Sequence, residues 1–392
     1  MGTDTPSIAV PEPASLARRL WELATLFLKL GTISFGGPAG HIALMEHEAV
    51  HKRKWLSQEY YLDLVAATNL VPGPNATEMA IHIGYLRAGW AGLVVSGVAF
   101  IVPAFLITLA LAWAYARYGA LPQVGAILYG IKPAVVGILV MAVWRLGRSA
   151  VTGKTAAAFF GLVLLGTLAG LDDVLLMVAA GLLMVLWQQR QRLPWLGLLV
   201  LGWPAPALPL ALNRTADNRL GQMFLYFLKI GSVLYGSGLV LYAFIQRDVV
   251  TGFGWLTQKQ LIDAIAAGQI TPGPVLSSAT FIGYLIGGTT GAGLATVGIF
   301  LPSFVIVALT GPWIPRLRNW QVGKAFLQGA TIAALALIFK TGILLGQSAL
   351  VDIWSVLIAL ASTVLLWRYK ADAIWVITLG AVAGILKSLL AI

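Results

Sequence analysis

Apolar residues run along this chain in long unbroken stretches rather than in alternation. Leu93 to Ala116 carries no charge and is long enough to cross a bilayer as a helix. Leu121 to Trp144 does the same apart from Lys132. Thr155 to Leu171 and Val174 to Gln189 are short for spans, at 17 and 16 residues. Elsewhere Gly and Pro interrupt apolar sequence. Tyr60 to Val71 is 12 residues, about 18 Å as a helix, which reaches midway across a roughly 30 Å hydrocarbon core. Pro72-Gly73-Pro74 then breaks it, and Asn75 to Leu86 gives another 12 residues. Lys52, Arg53 and Lys54 stand at one end and Arg87 at the other, so the segment reads as a helix–break–helix hairpin that dips in and returns. Phe35-Gly36-Gly37-Pro38 similarly breaks a helix beginning near Leu20. Broken backbone at membrane depth survives only where protein or a water-filled cavity satisfies its polar groups.

The pattern occurs twice. Phe27-Leu28-Lys29-Leu30-Gly31 recurs as Phe227-Leu228-Lys229-Ile230-Gly231, Asp63 as Asp263, and Pro72-Gly73-Pro74 as Pro272-Gly273-Pro274. Between 27–74 and 227–274, sixteen of 48 positions are identical. One residue then drops out, and Gly84-Tyr85-Leu86 matches Gly283-Tyr284-Leu285, Pro103 matches Pro302 and Gly181 matches Gly380. The organisation that follows is a cytosolic tail over 1–19, which lacks the apolar core of a signal peptide, a first repeat over 20–192, a linking transmembrane segment over 193–216 and a second repeat over 217–392. Paired breaks at equivalent places in two halves point to a transport site.

Composition agrees with the pattern: 59% of the 392 residues are hydrophobic and 10% charged, against about 25% in soluble chains. An ordinary soluble enzyme is excluded, and the absence of Cys excludes disulfides and thiolate chemistry. The net charge of +11 reads as loop charge facing the cytoplasm and anionic lipid, not as a nucleic-acid surface. Basic residues gather at 52–54, at Arg145, Arg148 and Lys154, and at Arg190 and Arg192, while the intervening loops hold Arg117 alone and then Asp172-Asp173. In the second half the bias swaps to Arg316, Arg318 and Lys324 and to Arg368 and Lys370, with Asp352 where the first half is basic. Arg214, Arg219, Arg247 and Lys259 do not fit the swap. The expected fold is an all-α polytopic membrane protein of two inverted repeats with broken, re-entrant helices, the N-terminus cytoplasmic and the C-terminus periplasmic.

Each break leaves helix N-termini whose free N–H groups and positive dipole ends attract anions. That makes Gly36, Gly37, Pro38, Gly73, Pro74, Asn75, Gly273, Pro274, Ser277 and Ser278 candidate anion-binding residues, with His41 beside the first break. Gly and Pro that merely permit close helix packing are the bland alternative. Lys29 and Lys229, kept inside apolar runs of both halves, either contact the anion or snorkel to the interface. Lys132 and Lys340 lack counterparts and read as snorkelling. Asn75 and Glu78 have capping-box spacing, while Glu78 and His82, at i and i+4, could carry a coupled proton. The second half has no carboxylate there, which puts the anion nearer Ser277 and Ser278. Trp55 and Trp255 read as interfacial anchors. Gly287-Gly288 and Gly291 to Gly293 read as helix turns and packing. His47-Glu48-Ala49-Val50-His51 spells the zincin pattern, an intramembrane metalloprotease alternative; it lies by a basic loop with no third ligand following, and no metal or cofactor is expected.

Taken together, Ser34-Phe35-Gly36-Gly37-Pro38 with His41, Arg53-Lys54-Trp55-Leu56, Asp63-Leu64-Val65, Pro72-Gly73-Pro74, Gly84-Tyr85-Leu86-Arg87-Ala88-Gly89 and Pro103 resemble the chromate ion transporter family, in its long two-domain form. The resemblance implies a bacterial inner-membrane transporter of chromate or a similar, sulfate-like divalent oxyanion, conferring chromate resistance by export. Two features depart from the pattern: Tyr235-Gly236-Ser237-Gly238 replaces the Phe-Gly-Gly-Pro element in the second half, and Glu78 stands where many members carry Gln. An anion channel is the alternative mechanism. The expected partners are the oxyanion and the lipid bilayer, and the assembly state is open, with a homodimer among the candidates.

Overall fold

The computed structural model describes residues 15–34, 37–189, 219–235, 238–311 and 321–390. The linking segment expected over 193–216, the tail before residue 15, and Gly36, Arg316 and Arg318 lie outside the described residues. All regular structure within them is helical. In the first repeat the helices are α1 (Leu16–Ile33), α2 (Gly37–Glu46), α3 (Gln58–Thr68), α4 (Asn75–Tyr118), α5 (Pro122–Ala150), α6 (Gly153–Leu168) and α7 (Asp173–Gln189). The second has α8 (Arg219–Val233), α9 (Val240–Phe244), α10 (Gln258–Ile270), α11 (Ser278–Thr310), α12 (Gln321–Ala349), α13 (Ile353–Arg368) and α14 (Ala373–Leu389). π-helical turns over His47–Lys52 and Ile245–Gly252 follow α2 and α9.

α4, α5, α12 and the run Val275–Thr310 are long and apolar enough to cross a membrane. Large apolar side chains such as Leu106, Leu165, Leu309 and Leu360 point outward, as lipid contact requires. This is a polytopic helical membrane protein.

As a straight rod the 44 residues of α4 would extend about 66 Å, twice the hydrocarbon core. The chain instead turns back at Ala88 (φ −144°, ψ 24°) and Gly89 (φ 61°, ψ −147°), and again at Gly287 (φ −148°, ψ 28°) and Gly288 (φ 62°, ψ −152°). The second residue of each pair lies in left-handed space that L side chains rarely adopt, so Gly is required there. Gly92 then packs against the Gly84 backbone and Gly291 against that of Gly283, and the Thr280 and Thr296 hydroxyls bond at 2.7 Å across the second turn. Each hairpin therefore has a short arm and a spanning arm. Residues 76–84 and 276–283 of the short arms are buried without interruption. Such helices are interior on every side, which meets the condition for broken backbone at depth.

The repeats interlock. α1 packs on α4, and α8 on α11; but α5 packs on α14 and α13 of the other repeat, and α12 on α7 and α6. Gly147 of α5 meets Leu335 of α12, and Val136 meets Gly346. Those contacts advance along one helix as they retreat along the other, so the two equivalent helices cross antiparallel. α4 and α11 do the same, Gly97 meeting Phe304 while Leu93 clusters with Val307.

Candidate anion site

α1 ends at Ile33, with Ser34 as its C-cap, and α8 ends at Val233. Both ends are closed by the opposite repeat. The Gly73 N–H donates to the Leu234 carbonyl at 2.8 Å, and the Gly273 N–H donates to the Ser34 carbonyl at 2.9 Å. Leu234 is the repeat equivalent of Ser34, so the two bonds are one contact made twice. Each Pro-Gly-Pro turn supplies the partner that the terminal carbonyl of the other repeat's helix lacks. Gly73 (φ 142°) and Gly273 (φ 87°) hold backbone that favours Gly, and Gly273 also lies close to the Gly31 carbonyl.

Four helical N-termini open on these breaks, at Gly37, Asn75, Val240 and Val275. The polar side chains around them are buried. His41 bonds the Ser34 carbonyl through Nε2 at 3.0 Å and sets its ring edge-on to Phe100, leaving Nδ1 unpartnered. Ser34 Oγ, Thr77 Oγ1, Ser277 Oγ, Ser303 Oγ and both Glu78 carboxylate oxygens are likewise buried without a hydrogen-bond partner. These unpartnered groups lie beside the two duplicated breaks.

The candidate residues divide between this region and elsewhere. Gly37, Pro38, His41, Gly73, Pro74, Asn75, Gly273, Pro274, Ser277 and Ser278 all lie on the breaks or the helical turns leaving them. Ser278 donates to the Val275 carbonyl at 3.0 Å, which leaves Ser277 as the free hydroxyl. The capping-box expectation is corrected. Pro74 occupies the N-cap, Asn75 hydrogen-bonds Asn69, and the Glu78 carboxylate does not reach back. Glu78 and His82 are both buried on α4, yet neither carboxylate oxygen bonds the imidazole.

Lys29 is half-exposed and pairs with Glu48 at 3.2 Å. Glu48 also holds Lys52 at 3.6 Å and Arg53. Lys229 lies within electrostatic reach of Asp248, the repeat equivalent of Glu48. The zincin pattern is thus wound into a π-helical turn with its Glu engaged by three cations, and among the described residues no cluster of three or more His, Asp or Glu is placed to hold a metal. Lys132 does not snorkel: it pairs with Asp263 of the other repeat at 3.7 Å. Lys340 donates to the Thr167 carbonyl at the end of α6. Trp55 is buried between Arg53 and Arg87, at 5.4 and 5.1 Å from its ring, rather than standing free at the interface. Ser34 and Ser303 were missed as site residues. Ser34 lies within the first break motif, but nothing local distinguishes Ser303.

Interlocked repeats, buried broken helices and unpartnered polar groups at their crossing define a membrane transport protein of the broken-helix class. The chain belongs to the chromate transporter family, whose model matches it twice, over residues 21–203 and 221–385. It is 35% identical over 357 residues to the chromate transport protein of Cupriavidus metallidurans, covering 90% of this chain and 88% of that one. It is 32% identical to a probable chromate transport protein of Synechococcus elongatus, covering 94% and 96%. It is 30% identical to a chromate transport protein of Pseudomonas aeruginosa, covering 97% and 95%. No solved structure matches the chain.

Proposed function

We propose that this protein is a secondary transporter that exports chromate or a similar divalent, sulfate-like oxyanion across the bacterial inner membrane, thereby conferring chromate resistance. The observation that carries the reading is the reciprocal pair of bonds from Gly73 to Leu234 and from Gly273 to Ser34, which sets the helical N-terminus leaving each Pro-Gly-Pro turn against the end of the other repeat's first helix. N–H groups at such ends neutralise an anion without placing Lys or Arg in the pore. The anion sits on the Ser34, His41, Gly273 and Ser277 side, which has no carboxylate. Glu78 and His82 are the groups for a coupled proton. The antiparallel crossings of α4 with α11 and of α5 with α12 support inverted repeats, because equivalent helices run oppositely when the relating axis lies in the membrane plane. Transport then proceeds by rocking one set of interlocked helices against the other. An inside-negative potential of 100 mV contributes about 4.6 kcal/mol to the exit of a dianion, enough without ATP.

The test is flux of labelled chromate, sulfate and molybdate through proteoliposomes held at a set potential. Saturable flux in the outward sense, competed by divalent oxyanions and steepened by potential, is expected. Equal inhibition by monovalent and divalent anions overturns the divalent site, and unitary currents without saturable exchange replace the transporter by a channel.

A further inference from the structure

The two breaks are alike in backbone but not in chemistry. Beside Gly73 stand the Glu78 carboxyl from the first repeat and Ser303 Oγ from α11 of the second. Beside Gly273 the corresponding neighbour is the Ala104 methyl, and Ser277 replaces the carboxyl. Glu78 and Ser303 are fully buried, and neither the carboxylate oxygens nor the hydroxyl is hydrogen-bonded to any group, each other included. The groups on the packed elements are committed elsewhere. Lys29 on α1 is held by Glu48, His41 on α2 by the Ser34 carbonyl, and the Tyr61 hydroxyl on α3 by the Ile42 carbonyl. Asp63 on α3 is only half-buried, Glu46 on α2 is held by Gln58, and α11 has no charged residue. Tyr235 from the second repeat lies within the field of Glu78, and His82 stands one turn along α4.

We propose that Glu78 and Ser303 form one proton-carrying site across the repeat interface, present once per chain because its mirror position is occupied by Ser277 and Ala104. A carboxylate in this place would give up its hydration for nothing, whereas the neutral acid needs only an acceptor for its O–H, and the Ser303 hydroxyl, itself unpartnered beside the same Gly73, is the one it would turn to. The partner belongs to the other repeat, so movement of one repeat against the other separates acceptor from acid and exposes the carboxyl to water, where the proton leaves. Ser303 is a positioning residue: it sets where Glu78 holds its proton and touches no oxyanion. The inference rests on the transporter reading, and it makes Ser303, not His82, the partner of Glu78.

Two measurements on the full chain in lipid test it. Infrared difference spectra between high and low pH should contain a protonated-carboxyl band that Glu78→Gln removes. Ser303→Ala should move that band to higher frequency, as loss of a hydrogen bond requires, and Ser303→Thr should restore it. In proteoliposomes with an internal pH dye, the wild type should move one proton per oxyanion. Ser303→Ala should shift the pH profile of that proton flux, and Ser303→Thr should return it. A band untouched by Glu78→Gln, or untouched by Ser303→Ala, overturns the site. The infrared result does not depend on substrate, so a band that behaves as stated in a protein that moves none of the oxyanions tested removes the function and leaves the site.

Discussion

The Ser277 hydroxyl is buried at the first turn after Pro274 with no partner, while Ser278, its neighbour, spends its own hydroxyl on the Val275 carbonyl. A two-residue stretch that reads as a matched pair of donors therefore has one donor to offer. Ser277→Ala should weaken oxyanion binding by about 0.5–1.5 kcal/mol, the usual worth of one hydrogen bond, and Ser278→Ala should change it far less. Equilibrium binding of labelled oxyanion to the purified variants measures both. Full affinity in the double variant would place the anion elsewhere. Asn75 makes the same point in another way. Its spacing to Glu78 fits a cap, but Pro74 already occupies that position and Asn69 takes the amide. Spacing sets which side chains can meet, and their competitors decide which do.

Between elements, the contacts that matter join the two repeats. Asp263 on α10 accepts from Tyr115 of α4 at 2.8 Å and pairs with Lys132 of α5 at 3.7 Å, with its side chain 1% exposed. Asp263→Ala strands a largely buried ammonium and should cost about 3–5 kcal/mol, whereas Lys132→Met with Asp263→Leu should recover most of it. Thermal unfolding in detergent ranks the three proteins, and a double variant no better than the single one would remove the pair from the account. At the far end of α13, Asp352 caps the helix by accepting from the Ser355 N–H at 2.8 Å. It also binds Lys387 of α14 and Tyr129 of α5, each at 2.5 Å. The Lys387 bond, then the Tyr129 bond, hold its carboxyl well below the usual carboxylate range. The unfolded chain therefore binds the proton first. This contribution is complete above a pH of about 3.9 and disappears as pH falls toward the lower native value. Melting temperature plotted against pH should drop on that acid side in the wild type and run flatter in Asp352→Asn.

For the whole molecule, the reciprocal contacts make the two repeats one interlocked body rather than two domains in series. Topology is directly measurable, because the chain has no Cys to mask an introduced one. Thr152 and Val351 occupy equivalent exposed loops, before α6 and before α13. If the repeats are inverted, an impermeant maleimide applied to intact cells should label Val351→Cys and spare Thr152→Cys until the membrane is opened. Labelling of both from one side would make the repeats parallel.

The sequence by itself determined the membrane class, the duplication and the two Pro-Gly-Pro breaks, because each depends on local facts. Uncharged runs must leave water, and a Pro-Gly-Pro triplet inside them stops a helix where the single Pro103, Pro133 and Pro302 do not. Both Pro-Gly-Pro turns and the short arms that follow were legible for that reason, to within a few residues of where the helices stop. The tertiary structure decided the partners. Gly73 closes the end of a helix 160 residues away, Lys132 finds Asp263 instead of the interface, and Ser303 arrives from the other repeat beside the Gly73 turn that Glu78 also flanks. None of these leaves a periodic or compositional trace, since a hydrogen bond or ion pair between the repeats depends on how two distant helices cross. The same crossing makes two nearly identical breaks chemically unequal.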